Sequence, residues 1–261
     1  MTQLMGVVNV TPDSFSDGGL YLDPDEAIAH GLALAEAGAE ILDVGGESTR
    51  PGADPVGEEE ELRRVVPVIR GLAASQSRLS VDTSKAPVAA AALDAGAEIV
   101  NDVTALRGDP EMGALCAERD ATVVLMHMLG EPRTMQEDPR YDDVVTEVKA
   151  FLAERLEAAV AAGIAEERVW LDPGIGFGKT AAHNMELLRR LDELHELGRP
   201  LVVGTSRKSF IGRVDGSPAD QRLGGTIASS VLAAAEGADV LRVHDVAEMR
   251  QALAVAMAIL G

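Results

Sequence analysis

The sequence predicts an α/β protein, a single (β/α)8 TIM barrel with a parallel eight-stranded core, as one domain over residues 1–261. Short apolar runs alternate eight times with longer segments of helical periodicity, the pattern of a parallel sheet covered by helices. A weak internal repeat adds to this, because at 36–41, 94–99 and 236–240 a helix ends on Gly and a strand soon begins. A doubly wound open sheet is the alternative. Eight units at this chain length, with no Pro/Gly/Ser-rich linker, favour one barrel.

Each predicted strand is a short apolar run that stops at a polar residue or a glycine. In chain order the runs are 4–8, 41–42, 79–81, 99–100, 122–126, 169–171, 201–203 and 240–241. The predicted helices are 25–37, 58–72, 84–95, 110–119, 141–162, 180–197, 219–236 and 246–260. Their ends carry helix signals, since Gly38 follows a helix as a C-cap would and Pro87 falls in a first turn, where it is tolerated.

The stretch at 171–180, Leu-Asp-Pro-Gly-Ile-Gly-Phe-Gly-Lys-Thr, shows this plan most clearly. Its strand stops at Asp172, Pro173 prevents the strand from continuing, and three alternate glycines give a loop in which a ligand can approach the backbone. The ending Gly-Lys-Thr is similar to a phosphate-binding P-loop, but the first Gly of such a loop would fall at position 173, which is Pro. A nucleotide hydrolase is therefore not predicted.

Composition excludes several classes of partner. The net charge of −20 argues against nucleic acid or an anionic membrane, although local charge still allows a small anionic substrate. Cys116 is the only cysteine, so no internal disulfide can form, and we expect a reducing compartment, the cytoplasm, with a buried structural thiol. We expect no signal peptide and no membrane-spanning segment, because the sequence has neither a leader pattern nor a sufficiently long apolar run.

Polar side chains gather at the predicted carboxyl ends of the strands, where the active site of such a barrel lies. They are Asn9, Asp43, Asp82, Asn101, His127, Asp172, Lys208, Arg242 and His244. Each has a plain structural interpretation when taken alone. Asp43 could brace a loop, and His127 could be a core imidazole with satisfied hydrogen bonds. Together they exceed what packing requires, so the array predicts one site.

These side chains divide into two chemical sets. A mixture of donors and acceptors suits a flat heterocycle with several ring nitrogens, and this set is Asp82, Asn101, Asp172 and Lys208. Guanidinium, imidazole and hydroxyl groups suit an anion, and a side-chain carbonyl suits Mg²⁺. This second set is Thr49, Arg50, Arg242 and His244, with Asn9. No nucleophile stands beside a base, so covalent catalysis is not predicted.

Two long loops, 11–19 and 45–57, are predicted to act as lids over this site. They carry Phe15, Arg50 and Pro51. Variable surface loops are the plain alternative. The acids at 58–61 are interpreted as a solvated helix start.

In these segments the chain resembles the dihydropteroate synthase family of pterin-binding enzymes. The matching motifs are Asn-Val-Thr-Pro-Asp-Ser-Phe-Ser-Asp-Gly-Gly at 9–19, Asp-Val-Gly-Gly-Glu-Ser-Thr-Arg-Pro-Gly at 43–52, Ser-Val-Asp-Thr at 80–83, Asn-Asp-Val at 101–103, Leu-Met-His-Met at 125–128, Leu-Asp-Pro-Gly-Ile-Gly-Phe-Gly-Lys at 171–179, Gly-Thr-Ser-Arg-Lys-Ser-Phe at 204–210 and Arg-Val-His-Asp-Val at 242–246. They follow the family's order over nearly the whole chain, and jointly they are highly specific.

The resemblance implies a role for each group of residues. The pterin pocket would consist of Asp82, Asn101, Asp172 and Lys208, with Asp43 and Met126 nearby. The diphosphate site would consist of Thr49, Arg50, Arg242 and His244, with Mg²⁺ at Asn9. The residues flanking p-aminobenzoate would be Phe15, Pro51 and Ser206. The residues expected to act in catalysis are Lys208, Arg50, Arg242 and His244.

The implied reaction joins 6-hydroxymethyl-7,8-dihydropterin diphosphate to p-aminobenzoate, giving 7,8-dihydropteroate and diphosphate in folate biosynthesis. Cationic groups would stabilise the leaving diphosphate, the pterin would spread the methylene cation, and the loops would exclude water. Sulfonamides, as mimics of p-aminobenzoate, would inhibit, and the resemblance implies a homodimer. Two alternatives remain open: a methyltetrahydrofolate methyltransferase, which needs no diphosphate group, and a paralogue that binds pterin without turnover.

Overall fold

A computed structural model of the chain describes residues 2–11, 23–48, 54–130 and 134–260. Eight parallel strands form its sheet. They are β1 Gln3–Asn9, β2 Ile41–Gly45, β3 Arg78–Asp82, β4 Ile99–Asp102, β5 Thr122–Met126, β6 Val169–Asp172, β7 Val202–Val203 and β8 Val240–Val243. Every predicted apolar run overlaps one of these strands, because each run is buried by helices outside and by the barrel interior inside.

The sheet closes on itself. Its strand order is β6-β5-β4-β3-β2-β1-β8-β7, so the two ends of the order are β6 and β7. A parallel bridge between Leu171 and Leu201 joins them, and the Leu171 N–H also donates to the Pro200 carbonyl at 2.9 Å. The predicted (β/α)8 barrel is therefore confirmed, and the open doubly wound sheet is wrong.

Helices surround the barrel in the predicted order. In the described ranges they are α1 Pro24–Ala37, α2 Glu58–Leu72, α3 Ala86–Asp94, α4 Met112–Glu118, α5 Val144–Ala161, α6 Ala181–Arg189, α7 Ser209–Asp215, α8 Leu223–Ala235 and α9 Val246–Leu260. Gly38 ends α1 at φ 106°, as its sequence position predicts. The Asp143 carboxylate begins α5 by accepting a hydrogen bond from the Thr146 N–H.

Two local predictions are wrong, and one helix was missed. The predicted helix 180–197 changes after Arg189 into the 3-10 helix Leu191–Leu197, whose three-residue repeat buries Leu191 and Leu194 together. Helix α7 was not predicted, because only Phe210 and Ile211 of its seven residues are buried and no periodic pattern shows. The acids at 58–61 are not all solvated, since Glu61 is fully buried.

The barrel interior is filled in layers. Seven buried side chains, one from each strand except β3, form the lowest apolar cluster: Met5, Ile41, Ile99, Val124, Trp170, Val202 and Val240. Side chains alternate between the two faces of a strand, so the residues two positions further on also face inward. These include Asp43, Asn101, Met126, Asp172 and Arg242. The apolar layer therefore supports a polar one at the carboxyl ends of the strands.

Cys116 lies in α4 and is fully buried, as predicted. Burial raises the pKa of its thiol to about 12, which makes it an unreactive core residue. Within the described ranges, no helix has both the length and the apolar character needed to cross a membrane.

Candidate active site

A cavity of about 420 Å³ opens at the carboxyl ends of the strands. Nine of the side chains predicted from the sequence line it: Asn9, Asp82, Asn101, Met126, Asp172, Ser206, Lys208, Arg242 and His244. Four other predicted residues, Phe15, Thr49, Arg50 and Pro51, fall outside the described residues. The strand-end array thus converges on one cavity.

His127 follows a strand end as Asp172 does, but it does not line the cavity. Met126 faces the cavity, so the next residue faces the helices. The His127 ring meets Phe151 of α5 edge to face, with 4.8 Å between ring centroids, and its Nδ1 lies 2.8 Å from the Lys179 Nζ. The plain interpretation of a core imidazole is therefore correct for His127.

Asp43 lies beneath the cavity floor, fully buried. Its Oδ1 accepts a hydrogen bond from the Ser80 hydroxyl at 2.6 Å, and its Oδ2 accepts from the Asn101 side chain at 3.1 Å and the Arg242 Nε at 2.6 Å. Asp43 is thus the common anchor of two side chains that line the cavity.

Arg242 bridges two carboxylates. Its Nε donates to Asp43, and its Nη2 donates to Asp82 Oδ2 at 2.8 Å. Burial alone would lower the pKa of Arg242, but these two carboxylates outweigh it and hold the pKa above its usual value. Arg242 is therefore a fixed cation in the floor of the cavity.

The two acids at the cavity respond to burial in the same direction. Burial raises the pKa of Asp82 to about 7, with Arg242 opposing the shift and Asp43 adding to it. Burial also raises the pKa of Asp172, against the Gly174 N–H, which donates to its Oδ1 at 2.7 Å, and against Lys208. A proton and a ligand N–H can therefore compete for the same oxygens of Asp82 and Asp172.

The ends of β7 and β8 are clamped to each other. The Ser206 hydroxyl lies 2.9 Å from the His244 Nδ1. The adjacent Arg207 donates to the Asp245 carboxylate through Nη2 at 2.6 Å. Arg207 has φ 57°, a left-handed backbone, and its N–H donates to the Thr226 hydroxyl at 2.9 Å. These contacts fix the turn on which Ser206 and Lys208 stand.

An aromatic and apolar wall faces the polar floor. The Lys208 Nζ lies 4.0 Å from the centre of the Phe177 ring, a cation–π contact. Phe177 packs against a small apolar cluster formed by Val103, Met126, Met128 and Met135. A flat ring can therefore find hydrogen-bonding groups below it and an apolar surface beside it.

Several cavity-lining residues were missed by the sequence analysis: Glu47, Ser48, Phe177, Arg207, Ser209 and Arg222. Glu47 belongs to a charge cluster in which the Lys85 Nζ contacts both its carboxylate and that of Glu61, the latter at 2.5 Å. This pairing explains how Glu61 of α2 can be fully buried. Because Lys85 is 24 residues away from Glu61, local sequence carried no signal for this pairing.

Across the described residues, no group of three or more His, Cys, Asp or Glu side chains is placed to hold a metal ion by itself. The fold and the cavity fit a class of molecule: a barrel enzyme whose strand-end site suits a small, polar, partly aromatic ligand.

Comparison with known proteins agrees with that class. The family model described as "Pterin binding enzyme" matches residues 5–244. The dihydropteroate synthase of Escherichia coli (strain K12) is 49% identical over 261 residues, covering 99% of this chain and 92% of that protein. The chain also matches 30% of a longer protein of Haloferax volcanii, a probable bifunctional folylpolyglutamate synthase/dihydropteroate synthase, at 51% identity over 98% of the chain.

Solved structures are similarly close. A Yersinia pestis dihydropteroate synthase in a sulfonamide drug complex superimposes with a TM-score of 0.96 at 48% identity, covering 99% of this chain and 94% of that one. A Xanthomonas albilineans dihydropteroate synthase in complex with 7,8-dihydropteroate gives a TM-score of 0.89 at 48% identity, covering 100% and 94%. The chain therefore belongs to the family of pterin-binding enzymes and, within it, to the dihydropteroate synthases, which are transferases.

Proposed function

We propose that the chain condenses 6-hydroxymethyl-7,8-dihydropterin diphosphate with p-aminobenzoate, forming 7,8-dihydropteroate and diphosphate in folate biosynthesis. The observation that carries the proposal is the meeting, in one cavity, of a hydrogen-bonding floor with two cationic side chains: Arg242 of β8, and Lys208 from the turn after β7. The Xanthomonas albilineans relative bound to 7,8-dihydropteroate supports the identity of the product.

The pterin would lie on the carboxylate and amide groups of the floor. Asp82 and Asp172 offer oxygens to ring N–H groups, Asn101 offers both a donor and an acceptor, and Lys208 offers N–H donors. Met126 would contact the ring from the apolar wall. Asp43 would act from beneath by orienting Asn101 and Arg242 rather than by touching the ligand.

The diphosphate would lie beside β8. Arg242 uses Nε and Nη2 on Asp43 and Asp82, so Nη1 is the nitrogen through which it would reach a phosphate oxygen. His244 follows the end of β8, two residues after Arg242, and lines the same cavity. Thr49 and Arg50, outside the described residues, are proposed as further ligands of this anion on the strength of the family resemblance.

Asn9 fits a magnesium site that the substrate completes. It ends β1, which pairs with β8, the strand of Arg242, and a side-chain carbonyl oxygen is a ligand type that Mg²⁺ accepts alongside water and phosphate oxygens. When bound, Mg²⁺ would neutralise charge on the diphosphate.

The proposed chemistry is dissociative. The bond between the pterin methylene carbon and the diphosphate oxygen breaks, and its electron pair leaves with diphosphate, which Arg242, His244 and Arg50 stabilise. The floor holds the pterin while its ring shares the positive charge of the methylene. The amine of p-aminobenzoate then forms the new carbon–nitrogen bond and loses a proton.

The p-aminobenzoate site is proposed next to Ser206, with Phe15 and Pro51 from the two loops. The Ser206 hydroxyl is held by His244, so it links this site to the diphosphate site. Sulfonamides would compete here, in line with the drug complex of the Yersinia pestis relative.

We propose that the chain works as a cytoplasmic homodimer. Large apolar side chains on α8 and α9 support the dimer, with Leu232 62% and Ile259 78% exposed. Sedimentation of wild type as a dimer, and of Leu232→Glu/Ile259→Glu as a monomer, would support this surface. A monomeric wild type at micromolar concentration would rule it out.

Turnover tests the proposal directly. The purified protein, incubated with both substrates and Mg²⁺, should release diphosphate and form 7,8-dihydropteroate, and removing Mg²⁺ with a chelator should suppress both. Pterin binding without diphosphate release would favour the non-catalytic paralogue. Methyl transfer from methyltetrahydrofolate would favour the methyltransferase alternative.

A further inference from the structure

Lys179 closes the glycine-rich loop after β6, and its side chain turns back beneath that loop. The residue is only 3% exposed. Its Nζ lies 2.8 Å from the His127 Nδ1, 3.0 Å from the Gly174 carbonyl oxygen and 3.0 Å from the Phe177 carbonyl oxygen. An ammonium has three N–H donors and no acceptor. These three contacts, with a longer one of 3.4 Å to the His127 carbonyl oxygen, engage all the donors of Nζ, so none is left for a phosphate.

Burying a charged amine costs free energy unless hydrogen bonds compensate for the lost water, so the burial of Lys179 needs an explanation. Burial lowers the pKa of Lys179 to about 7, against the favourable charge of Asp172. Burial also lowers the pKa of His127 to about 3, with the charge of Lys179 adding to the shift. The imidazole is consequently neutral, and its Nδ1 can accept the hydrogen bond from the ammonium.

The 174–178 loop has a backbone conformation that brings two of its carbonyl groups together around the Lys179 Nζ. Gly174 has φ 67°, and a Cβ at this position would lie 1.9 Å from the His127 carbonyl oxygen. The Phe177 N–H donates to the Gly174 carbonyl at 3.0 Å, and that same carbonyl faces Lys179. The carbonyls of Gly174 and Phe177 thus point inward to one ammonium, while the side chains of Ile175 and Phe177 line the cavity.

The loop in turn supports Lys208. The Phe177 ring lies under the Lys208 Nζ at 4.0 Å. A Cβ on Gly176 would lie 3.1 Å from the Lys208 Cδ, so the loop backbone and the Lys208 stem are in close approach. A change in the curvature of this loop would therefore move Lys208.

We propose that Lys179 is a positioning residue: its Nζ holds the Gly174 and Phe177 carbonyls and so shapes the 174–178 loop, which keeps the Phe177 ring and Lys208 in place for the pterin. The inference rests on the proposed function in taking the pterin as the ligand of this wall. Lys179 acts through Phe177 and touches no reacting atom.

Lys179→Met tests this with little change in side-chain volume. Calorimetric titration with 6-hydroxymethyl-7,8-dihydropterin should show an affinity weakened about tenfold. This is the effect expected if a misplaced loop costs the protein about one hydrogen bond to the pterin. Lys149→Met is the matched control, because it makes the same substitution at a lysine of α5 that pairs with Glu196. It should change affinity by less than about twofold. Wild-type affinity in Lys179→Met would overturn the proposal.

A double-mutant cycle separates positioning from general destabilisation. In a Phe177→Leu background, where the ring is gone, Lys179→Met should weaken pterin binding by less than about twofold. An undiminished tenfold effect in that background would show that Lys179 does not act through Phe177, and would overturn the proposal. If Lys179→Met does not fold, His127→Leu replaces it, since that change removes only one acceptor of the ammonium. We then expect a smaller loss, about threefold, that again depends on Phe177.

Because binding is measured without turnover, this inference and the proposed reaction can fail separately. A wild-type protein that binds pterin but releases no diphosphate would reject the reaction and leave the cycle interpretable. Additive effects of Lys179 and Phe177 in an active enzyme would reject the positioning role alone.

Discussion

Asp43 is the buried anion on which the cavity floor depends, and its charge can be tested apart from its shape. Its Oδ2 receives the bonds from Asn101 and Arg242, and its Oδ1 receives the one from Ser80. A hydroxyl can accept as well as donate. An Asn in place of Asp43 can therefore direct its oxygen to Asn101 and Arg242 and its NH₂ group to Ser80. Asp43→Asn thus removes the charge and can keep all three bonds.

The expected cost follows from those contacts. Hydrogen bonds to charged groups contribute about 1.5–3 kcal/mol and neutral ones about 0.5–1.5 kcal/mol. Since Arg242 keeps Asp82, the loss stays below the roughly 3–5 kcal/mol of a fully broken buried pair. We expect Asp43→Asn to lower the free energy of unfolding by about 2 kcal/mol, with a fall in Tm of roughly 4–8 °C. Asp43→Ala, which also orphans the donors, should cost about 4 kcal/mol.

Urea unfolding measures these values, and Ser80→Ala is the control, because it removes one bond to the same carboxylate at a cost of about 1 kcal/mol. The charge of Asp43 also raises the pKa of Asp82. In Asp43→Asn the pH below which pterin binding weakens should consequently move downward. An Asp43→Asn protein as stable as wild type, or as unstable as Asp43→Ala, would show that the charge of Asp43 does not contribute as proposed.

Three further changes test other parts of the site. Lys208→Ala should weaken pterin binding by about 10- to 100-fold, as calorimetry would measure, with little change in Tm. An undiminished affinity would show that Lys208 does not contact the pterin. Pterin affinity should fall as pH drops below about 7, because Asp82, with its raised pKa, takes up a proton there and loses acceptor capacity. Asp82→Asn should flatten this pH dependence. If the variant keeps the wild-type pH profile, another group causes the dependence. Lys85→Met should lower the free energy of unfolding by about 3 kcal/mol, because it leaves Glu61 buried without its cation. Adding Glu61→Gln should recover part of that loss, and no recovery would mean that the charge of Glu61 is not what destabilises the single variant.

The strand ends could be predicted from the sequence because each apolar run is short and stops at a polar residue that a barrel places on one rim. The inward or outward direction of each side chain was harder to assign. Met126 and His127 are neighbours, yet only Met126 faces the cavity, because strand side chains alternate. Counting in steps of two from the apolar layer, from Val124 to Met126, would have made that distinction.

Other features depend on contacts between distant parts of the chain. Lys85 and Glu61 are 24 residues apart, and the cation that pairs with the buried Glu61 carboxylate becomes visible only in the fold. The left-handed backbone of Arg207 is set by Thr226 and Asp245 on other elements. The inward turn of Lys179 needs His127, which is 52 residues away. The periodicity of the local sequence does not indicate such pairs, so they can be identified only in the folded structure.

The central claim is that the strand-end groups hold a pterin in the one cavity they line. A crystal structure of the protein with 6-hydroxymethyl-7,8-dihydropterin would test it most directly. We expect the nitrogen-bearing edge of the ring to lie within hydrogen-bonding distance of Asp82, Asn101 and Asp172, with Lys208 beside the ring. A pterin bound elsewhere on the molecule, with these side chains unaltered around an unliganded cavity, would contradict it.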